Sequence, residues 1–521
     1  MEPRKAFCAP LYEFALRTPA KKFLADAERT LTYRQCAEAV DGIARALQRQ
    51  GLRSGDRCLL FMANGIDYAL AWLAMCRLGV ISVPLNQAYR GPILVHQVRN
   101  AAARAMIVDE RHYGTLAEAA QGLECLERVF CFRNEGEAIP SERARLISGE
   151  APDVPLDAPW PAGHDILSIF YTSGTTGPSK GVLYSHHQAA VTASTVSRYL
   201  DADDVFYMVN PMCHVGLPHC LGAVLQVGGA LIVRERFSAS AFWPEVRKSG
   251  ATVTMMLGSV ANYLNAAAPD DQDRSHGLRK VLMVPVLADA RTFCERFGVA
   301  VMSWFNMTEV SVPLHTHGFS NDPDGGCGMP REGATVRLVD ANDRPVPRGT
   351  PGELLVRDDS PWALSPGYLN DAQGTVDAWR NLWFHTGDLC VQDSGGAYHY
   401  VDRIKDCIRR RGENVSSHEV ESQILTHPDV QEAAVIGVAA DVGEQEIQAI
   451  VILNPQARVT IAGMLDYLAP RLPHFCLPRF IHFVDAPLPK TETGKVQKSR
   501  LRELYPQGRG DREAIGYKVQ R

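Results

Sequence analysis

Between Tyr171 and Val182 the chain reads YTSGTTGPSKGV, a loop poor in side-chain bulk and rich in hydrogen-bond donors. Glycine lets backbone N–H groups approach an anion, and Ser/Thr hydroxyls with one lysine add donors suited to phosphate oxygens. The run DILSIFYT (165–172) before it reads as a strand, and SHHQAAVTASTVSRYL (185–200) after it reads as a helix. A strand, a glycine-rich loop and a helix in that order form a phosphate cradle. The spacing excludes a Walker A loop. That motif needs GxxxxGK[ST], whereas Gly174 and Gly177 are three apart and Lys180 is followed by Gly181. Other polar residues look inert when taken singly. His214 lies in an apolar run and reads as a core histidine. Asp388 reads as a turn residue after Gly387, and Lys495 in TETGK as a solvated charge.

The elements around these residues read as α/β. From Thr32 a stripe at Cys36, Val40, Ile43 and Leu47 predicts a helix, capped by Thr32 and ended by Gly51. CLLFM (58–62), IDYALAWLAMCRLG (66–79) and VISVPL (80–85) then give strand, helix and strand, a βαβ unit that implies a parallel sheet. A second unit surrounds the loop, and ALIVRERF, AFWPEVRKSG and ATVTMML repeat the rhythm a third time. From about residue 333 short strands alternate with Asn-Asp, Pro-Arg-Gly and Gly-Gly turns, which predicts a smaller β-rich subdomain. The tail reads helix SSHEVESQIL, strand EAAVIGVA, strand EIQAIVIL, helix IAGMLDYLAP, with a domain boundary near Lys405.

The 521 residues exceed what one core sustains, so at least two domains are expected. A net charge of -5 provides no broad basic field and argues against a nucleic-acid partner. The thirteen cysteines are scattered without zinc-ligand or CxxC spacing, as reduced core thiols of a cytoplasmic protein would be. The N-terminus lacks a sustained apolar h-region, and ALAWLAMC (69–76) is too short to span a membrane.

TSGTTGPSKG closely resembles the phosphate loop of the acyl-adenylate-forming superfamily. That group contains acyl-CoA synthetases, peptide-synthetase adenylation domains and beetle luciferases. Further motifs follow in the family's order: PMCHVG (211–216), NMTE (306–309), PGEL (351–354), GYLN (367–370), WFHTGD (383–388), VDRIKDCIRRRGENV (401–415), LPHFCLPRF (472–480) and PKTETGK (489–495). The resemblance covers nearly the whole chain. FSASAFWPEVRKSGATVT (237–254) and FCERFGV (293–299) are most similar to carnitine/crotonobetaine-CoA ligases.

The resemblance implies an α/β fold with a large multi-subdomain N-terminal domain at 1–404, made of two α/β sheets and a small β-barrel-like subdomain. A small mobile α+β C-terminal domain at 405–521 would turn on Lys405 and carry Lys495. The implied activity is an ATP-dependent acid–CoA ligase that uses Mg2+ and coenzyme A, acting as a monomer or homodimer. Its first half-reaction brings two anions together, so positive charge and donors must be placed in advance.

By the same resemblance Thr172, Ser173, Gly174, Thr175, Thr176, Gly177 and Lys180 hold the β- and γ-phosphates. Thr308 contacts the α-phosphate, and Glu309 with Thr176 holds Mg2+. Asp388 and Arg403 reach the ribose, while Phe305 stacks on adenine beside Asn306. Lys495 reaches the acid's carboxylate and the α-phosphate bridging oxygen. His214 and Trp383 line the junction of the acyl and CoA channels, Gly412 swings toward the pantetheine path, and Val284 and Val286 border the acyl site.

Two departures bear on the acid. LMVPVLAD (282–289) stands where the family has Gly-Gly-Ala-Pro, and Asn306 stands where it has Gly. Asn306 would add an amide near the acyl channel. A carnitine-like trimethylammonium would want an aromatic cage or a carboxylate. The residues expected around the pocket, Met255, Met256, Leu257, Val284, Val286 and Val310, are mostly apolar, with Trp304 as the candidate aromatic wall. Medium-chain, aryl or polycyclic acids therefore stand beside carnitine-like ones. Loading of a separate acyl carrier protein, a luciferase-like oxygenase and a non-catalytic nucleotide- or acyl-binding protein remain as alternatives.

Overall fold

The computed structural model describes residues 6–118, 123, 126–132, 144–147, 156, 158–172, 179–287, 289–410, 413–439, 445–491, 494–506 and 508–517. By contacts the chain forms two compact units. The first comprises 1–172, 179–336 and 356–384, and the second 173–178, 337–355 and 385–521.

The first unit holds two seven-stranded sheets. One runs Ala144–Ile147, Arg128–Phe132, Ala105–Asp109, Arg57–Phe61, Ile81–Pro84, Ile166–Thr172, Lys180–Ser185. The other runs Ala300–Met302, Lys280–Val284, Val253–Leu257, Val205–Met208, Ala230–Val233, Lys22–Ala25, Thr30–Thr32. Each is parallel except for its last pair, which is antiparallel. Parallel strands need crossover helices, which cover both faces. That is why Ile66–Leu78 is buried along nearly its whole length.

Local chemistry sets the helix ends. Tyr33–Arg49 starts at Thr32, whose hydroxyl accepts from Gln35 N–H while the Gln35 side chain accepts from Thr32 N–H, a complete capping box. It ends at Gly51, whose φ of +86° suits glycine and strains any residue with a Cβ.

One expectation is corrected. The helix His186–Ser197 does not follow the glycine-rich loop directly. The strand Lys180–Ser185 intervenes and pairs antiparallel with Ile166–Thr172, from Ile166↔Ser185 to Thr172↔Lys180. The loop therefore joins a hairpin, and the helix dipole is a strand's length away from it. KGVLYS alternates weakly and sits against the loop, so its strand character depends on a partner that the sequence read alone does not show.

In the second unit Tyr398–Arg403 pairs with the strand Phe384–Gln392, setting Asp388 opposite Arg403. Val430–Ala439, Gln445–Leu453 and Phe480–Phe483 form a three-stranded sheet. The helices Ser417–Leu425 and Ile461–Leu468 pack on its apolar residues through Val420, Ile424, Met464, Leu465 and Leu468. No described helix is long and apolar enough to cross a membrane, and the described cysteines are free thiols.

Candidate functional site

Ser173, Gly174, Thr175, Thr176 and Gly177 lie outside the described residues, as does Gly412. What frames the loop is described. Thr172 Oγ1 lies 3.5 Å from the Lys180 carbonyl oxygen across the hairpin. Beyond it the segment 367–369 adds to the hairpin's edge. Leu183 N–H donates to Gly367 O at 3.0 Å, and Leu369 N–H to Gly181 O at 2.7 Å. This places Tyr368 beside Lys180, whose Nζ stands 4.7 Å from the Tyr368 ring centroid and 3.2 Å from Asp371 Oδ2. Lys180 is thus held by an aromatic face and a carboxylate, both half exposed, a geometry that fixes direction more than it adds stability.

The Tyr368 hydroxyl donates to Glu309 Oε1 at 2.9 Å. Glu309 is only 6% exposed, so its charge is costly unless hydrogen-bonded or matched by a cation. Next to it, Gln188 Nε2 donates to the Thr308 carbonyl at 3.1 Å, pinning the turn from the helix His186–Ser197. Lys180, Thr308 and Glu309 are therefore drawn into one framework by Tyr368 and Gln188. Tyr368 and Gln188 were not among the expected site residues. Tyr368 had a signal, since it sits in the family-like GYLN.

Phe305 is buried in the short strand Trp304–Phe305. Asn306 departs from glycine for a visible reason. Its Oδ1 accepts from Val312 N–H at 2.9 Å, and its Nδ2 donates to His219 Nε2 at 3.3 Å. Val312 is β-branched, fully buried and at φ +45°, a strained conformation for such a residue. The amide braces that turn. Burial lowers His219 to about 3, so it stays a neutral imidazole, edge-on to Trp304 with centroids 5.8 Å apart. Asn306→Gly is expected to destabilise the chain by about 1–3 kcal/mol, because Val312 N–H loses its acceptor and the strain remains. The measurement is a lowered Tm; an unchanged Tm would remove the bracing role.

His214 is half-buried, its N–H 3.4 Å from Pro211 O at the lead-in to the helix Gly216–Val227. Trp383 is buried under the Arg357 guanidinium, 4.5 Å from the ring centroid. Val284 and Val286 do not share a wall. Val284 packs with Met255 and Val215 against the core containing Trp304 and Val312, whereas Val286 packs with the core containing Phe293 and Phe297.

In the second unit Asp388, Arg403, Lys405 and Lys495 come together. Arg403 Nε lies 2.6 Å from Asp388 Oδ1, and Asp388 is 2% exposed. The two residues expected to reach one ribose are cross-strand partners of each other. Lys495 follows Gly494, and Thr491 N–H donates to Lys495 O at 2.6 Å. Solvent still reaches its side chain. Even so, the surrounding protein, with Arg403 next, holds it below the ordinary lysine value, and Asp388 opposes them. Lys405 is lowered in the same way, first by burial, with Arg403 and Arg502 adding to the shift while Asp406 and Asp388 oppose it.

Comparison with known proteins follows the same outline. The profile of the AMP-binding enzyme family matches residues 11–369, and that of the AMP-binding enzyme C-terminal domain matches 419–495. A crotonobetaine/carnitine–CoA ligase from Salmonella arizonae is 28% identical over 489 residues, 90% of this chain and 93% of that protein. The anthranilate CoA ligase AuaEII, solved with anthranoyl-AMP, superposes with a TM-score of 0.87 at 25% identity, covering 97% of this chain and 98% of that one. ATP-bound MatB from Rhodopseudomonas palustris gives a TM-score of 0.82 at 26% identity over 97% and 99% of the two chains.

Proposed function

The chain belongs to the AMP-binding enzyme family, and from that premise we propose that it activates an apolar carboxylic acid as its adenylate and passes the acyl group to coenzyme A. It is an acyl-CoA ligase of the AMP-forming type. In the first half-reaction a carboxylate oxygen attacks the α-phosphorus of ATP and the bond to pyrophosphate breaks. In the second the CoA sulfur attacks the acyl carbon and AMP leaves.

Lys180 and Thr172, with Ser173, Gly174, Thr175, Thr176 and Gly177, hold the phosphates. Thr308 orients the α-phosphate, and Phe305 and Asn306 border the adenine. Asp388 accepts the ribose hydroxyls with Arg403 beside it. Lys495 neutralises the incoming carboxylate and the α-phosphate. His214 and Trp383 gate the acyl and CoA paths with Gly412. Residues 405–521 turn on Lys405 between half-reactions, against an N-terminal domain of 1–404.

The carboxylate of Glu309, buried and directed by Tyr368, is a hard oxygen donor of the kind Mg2+ requires, with Thr176 as its second protein ligand. When bound, Mg2+ neutralises phosphate charge and favours pyrophosphate departure.

The observation that carries the apolar acid lies at the carboxyl ends of the second sheet, where ligands of α/β folds bind. There the half-buried side chains Val215, Met255 and Val284 pack against the core that contains Trp304, and the imidazole of His219 beside Trp304 is neutral. A trimethylammonium placed there would meet one aromatic ring, Trp304, but no carboxylate among these residues. A carnitine-like acid is the second reading, supported by the relative that is 28% identical over 90% of the chain.

Pyrophosphate release with Mg-ATP, measured over fatty, aryl, steroid and carnitine-type acids with and without CoA, separates these readings. An apolar acid is expected to exceed carnitine by about tenfold or more in kcat/KM, with CoA accelerating turnover. Preference for carnitine or crotonobetaine would install the second reading. Adenylate formation indifferent to CoA would instead make the acceptor a carrier protein.

A further inference from the structure

Outside the residues used above, the second unit holds a cluster of a different kind. The His385 side chain is 3% exposed and lies between two carboxylates, one at each ring nitrogen. Nδ1 is 3.0 Å from Glu353 Oε2. The other oxygen of Glu353 accepts Gly387 N–H at 3.0 Å. An ionised carboxylate can only accept, so Nδ1 carries the proton and Glu353 fixes both the tautomer and the ring plane. Nε2 then points elsewhere. It is buried and makes no hydrogen bond among the described residues, and it faces Asp343 Oδ2 at 3.9 Å. That separation is too long for a hydrogen bond.

A buried lone pair turned toward a carboxylate is unfavourable unless a proton, a water or a metal ion stands between them. A metal ion is the answer that the held tautomer of His385 favours. The arrangement has the form of a metal-bound histidine whose far nitrogen is held by a carboxylate. Two donors about 2.1 Å from a tetrahedral ion lie roughly 3.4 Å apart, so a shift of about half an ångström would close the gap. Ligand atoms of Asp343, Glu353 and His385 all lie within 4.8 Å of one another. Asp343 lies at φ +60° in a turn fixed by Asp340, whose Oδ1 accepts from Asn342 and Arg344 N–H. Its side chain remains partly open to solvent at 18% exposure, which gives an ion a way in.

We propose that His385 Nε2 and the Asp343 carboxylate bind a divalent transition-metal ion of the zinc class, with Glu353 orienting His385 and water completing the coordination. One nitrogen and a carboxylate oxygen suit Zn2+ or Co2+ better than Mg2+, which prefers an all-oxygen shell.

The test titrates the chelator-treated full chain with Zn2+ by calorimetry in excess Mg2+, and repeats it with Co2+ followed by absorption. Wild type, Asp343→Asn and His385→Gln are compared. Asparagine tolerates the left-handed backbone, so D343N keeps the turn and its Tm in chelator should equal that of wild type. The expected result is one Zn2+ equivalent in wild type that both variants bind about tenfold or more weakly. Co2+ should give ligand-field bands of a nitrogen–oxygen site without thiolate charge transfer. Equal zinc binding by wild type and D343N, thiolate bands in the Co2+ spectrum, or no bound equivalent would each overturn the proposal.

Discussion

A Lys495→Ala enzyme is expected to form acyl-adenylate about 10²–10³-fold more slowly than wild type, while transferring a supplied acyl-adenylate to CoA at nearly the normal rate. The reason is electrostatic. Joining two anions needs a positive charge already in place, and removing one preorganised donor of that kind costs about this much. Thiolysis of the adenylate brings no second phosphate anion, so the same lysine has little to offer there. Single-turnover measurement of each half-reaction decides the matter. Equal loss in both would show that the substitution damages the protein generally and would sink the assignment.

The same residue predicts a pH profile. The charged form is the useful one, and desolvation by the surrounding protein, then Arg403, lowers its pKa below the ordinary lysine value. The kcat/KM for adenylation should therefore fall on the alkaline side at a lower pH than an unperturbed lysine would allow. Lys495→Arg, which stays charged, should lose that limb even if its rate is poor. Unfolding does not imitate this effect. A lysine depressed in the folded state binds protons more weakly there than in the unfolded chain. This group therefore adds stability as pH rises from the folded pKa to the unfolded one. Activity lost over that window comes from chemistry.

What could be read beforehand was whatever depends on local sequence. The stripe from Cys36 to Leu47 with its Thr32 cap became the helix Tyr33–Arg49, and the repeated strand–helix rhythm became parallel sheets. The features hidden from sequence depend on distant partners. Lys22–Ala25 pairs with Ala230–Val233, about two hundred positions away. Lys180–Ser185 becomes a strand because Ile166–Thr172 is beside it, and this displaced the expected loop-to-helix junction. Among the candidate site residues the motif strings marked Glu309, Asp388 and Lys495, but motifs do not say what each side chain touches. That Asn306 braces Val312 and His219, and that Asp388 and Arg403 pair with each other, required coordinates.

Glu309→Gln should lower kcat/KM for adenylation by about 10²–10³-fold and raise the Mg2+ concentration needed for half-activity. Glutamine keeps the shape and an oxygen to accept the Tyr368 hydroxyl, so the change removes charge with little repacking. Tyr368→Phe tests the neighbouring link. It deletes the hydroxyl that donates to Glu309 Oε1 at 2.9 Å and leaves the ring that Lys180 stands over. A residue that only orients a metal ligand should weaken Mg2+ activation by about 10–100-fold, less than loss of the ligand itself. On the proposed role both residues act on one ion, so the double variant should be little worse than Glu309→Gln alone. Full additivity would mean that Tyr368 acts through Lys180 and the phosphates instead. A normal Mg2+ requirement in Glu309→Gln would remove Glu309 from the metal altogether.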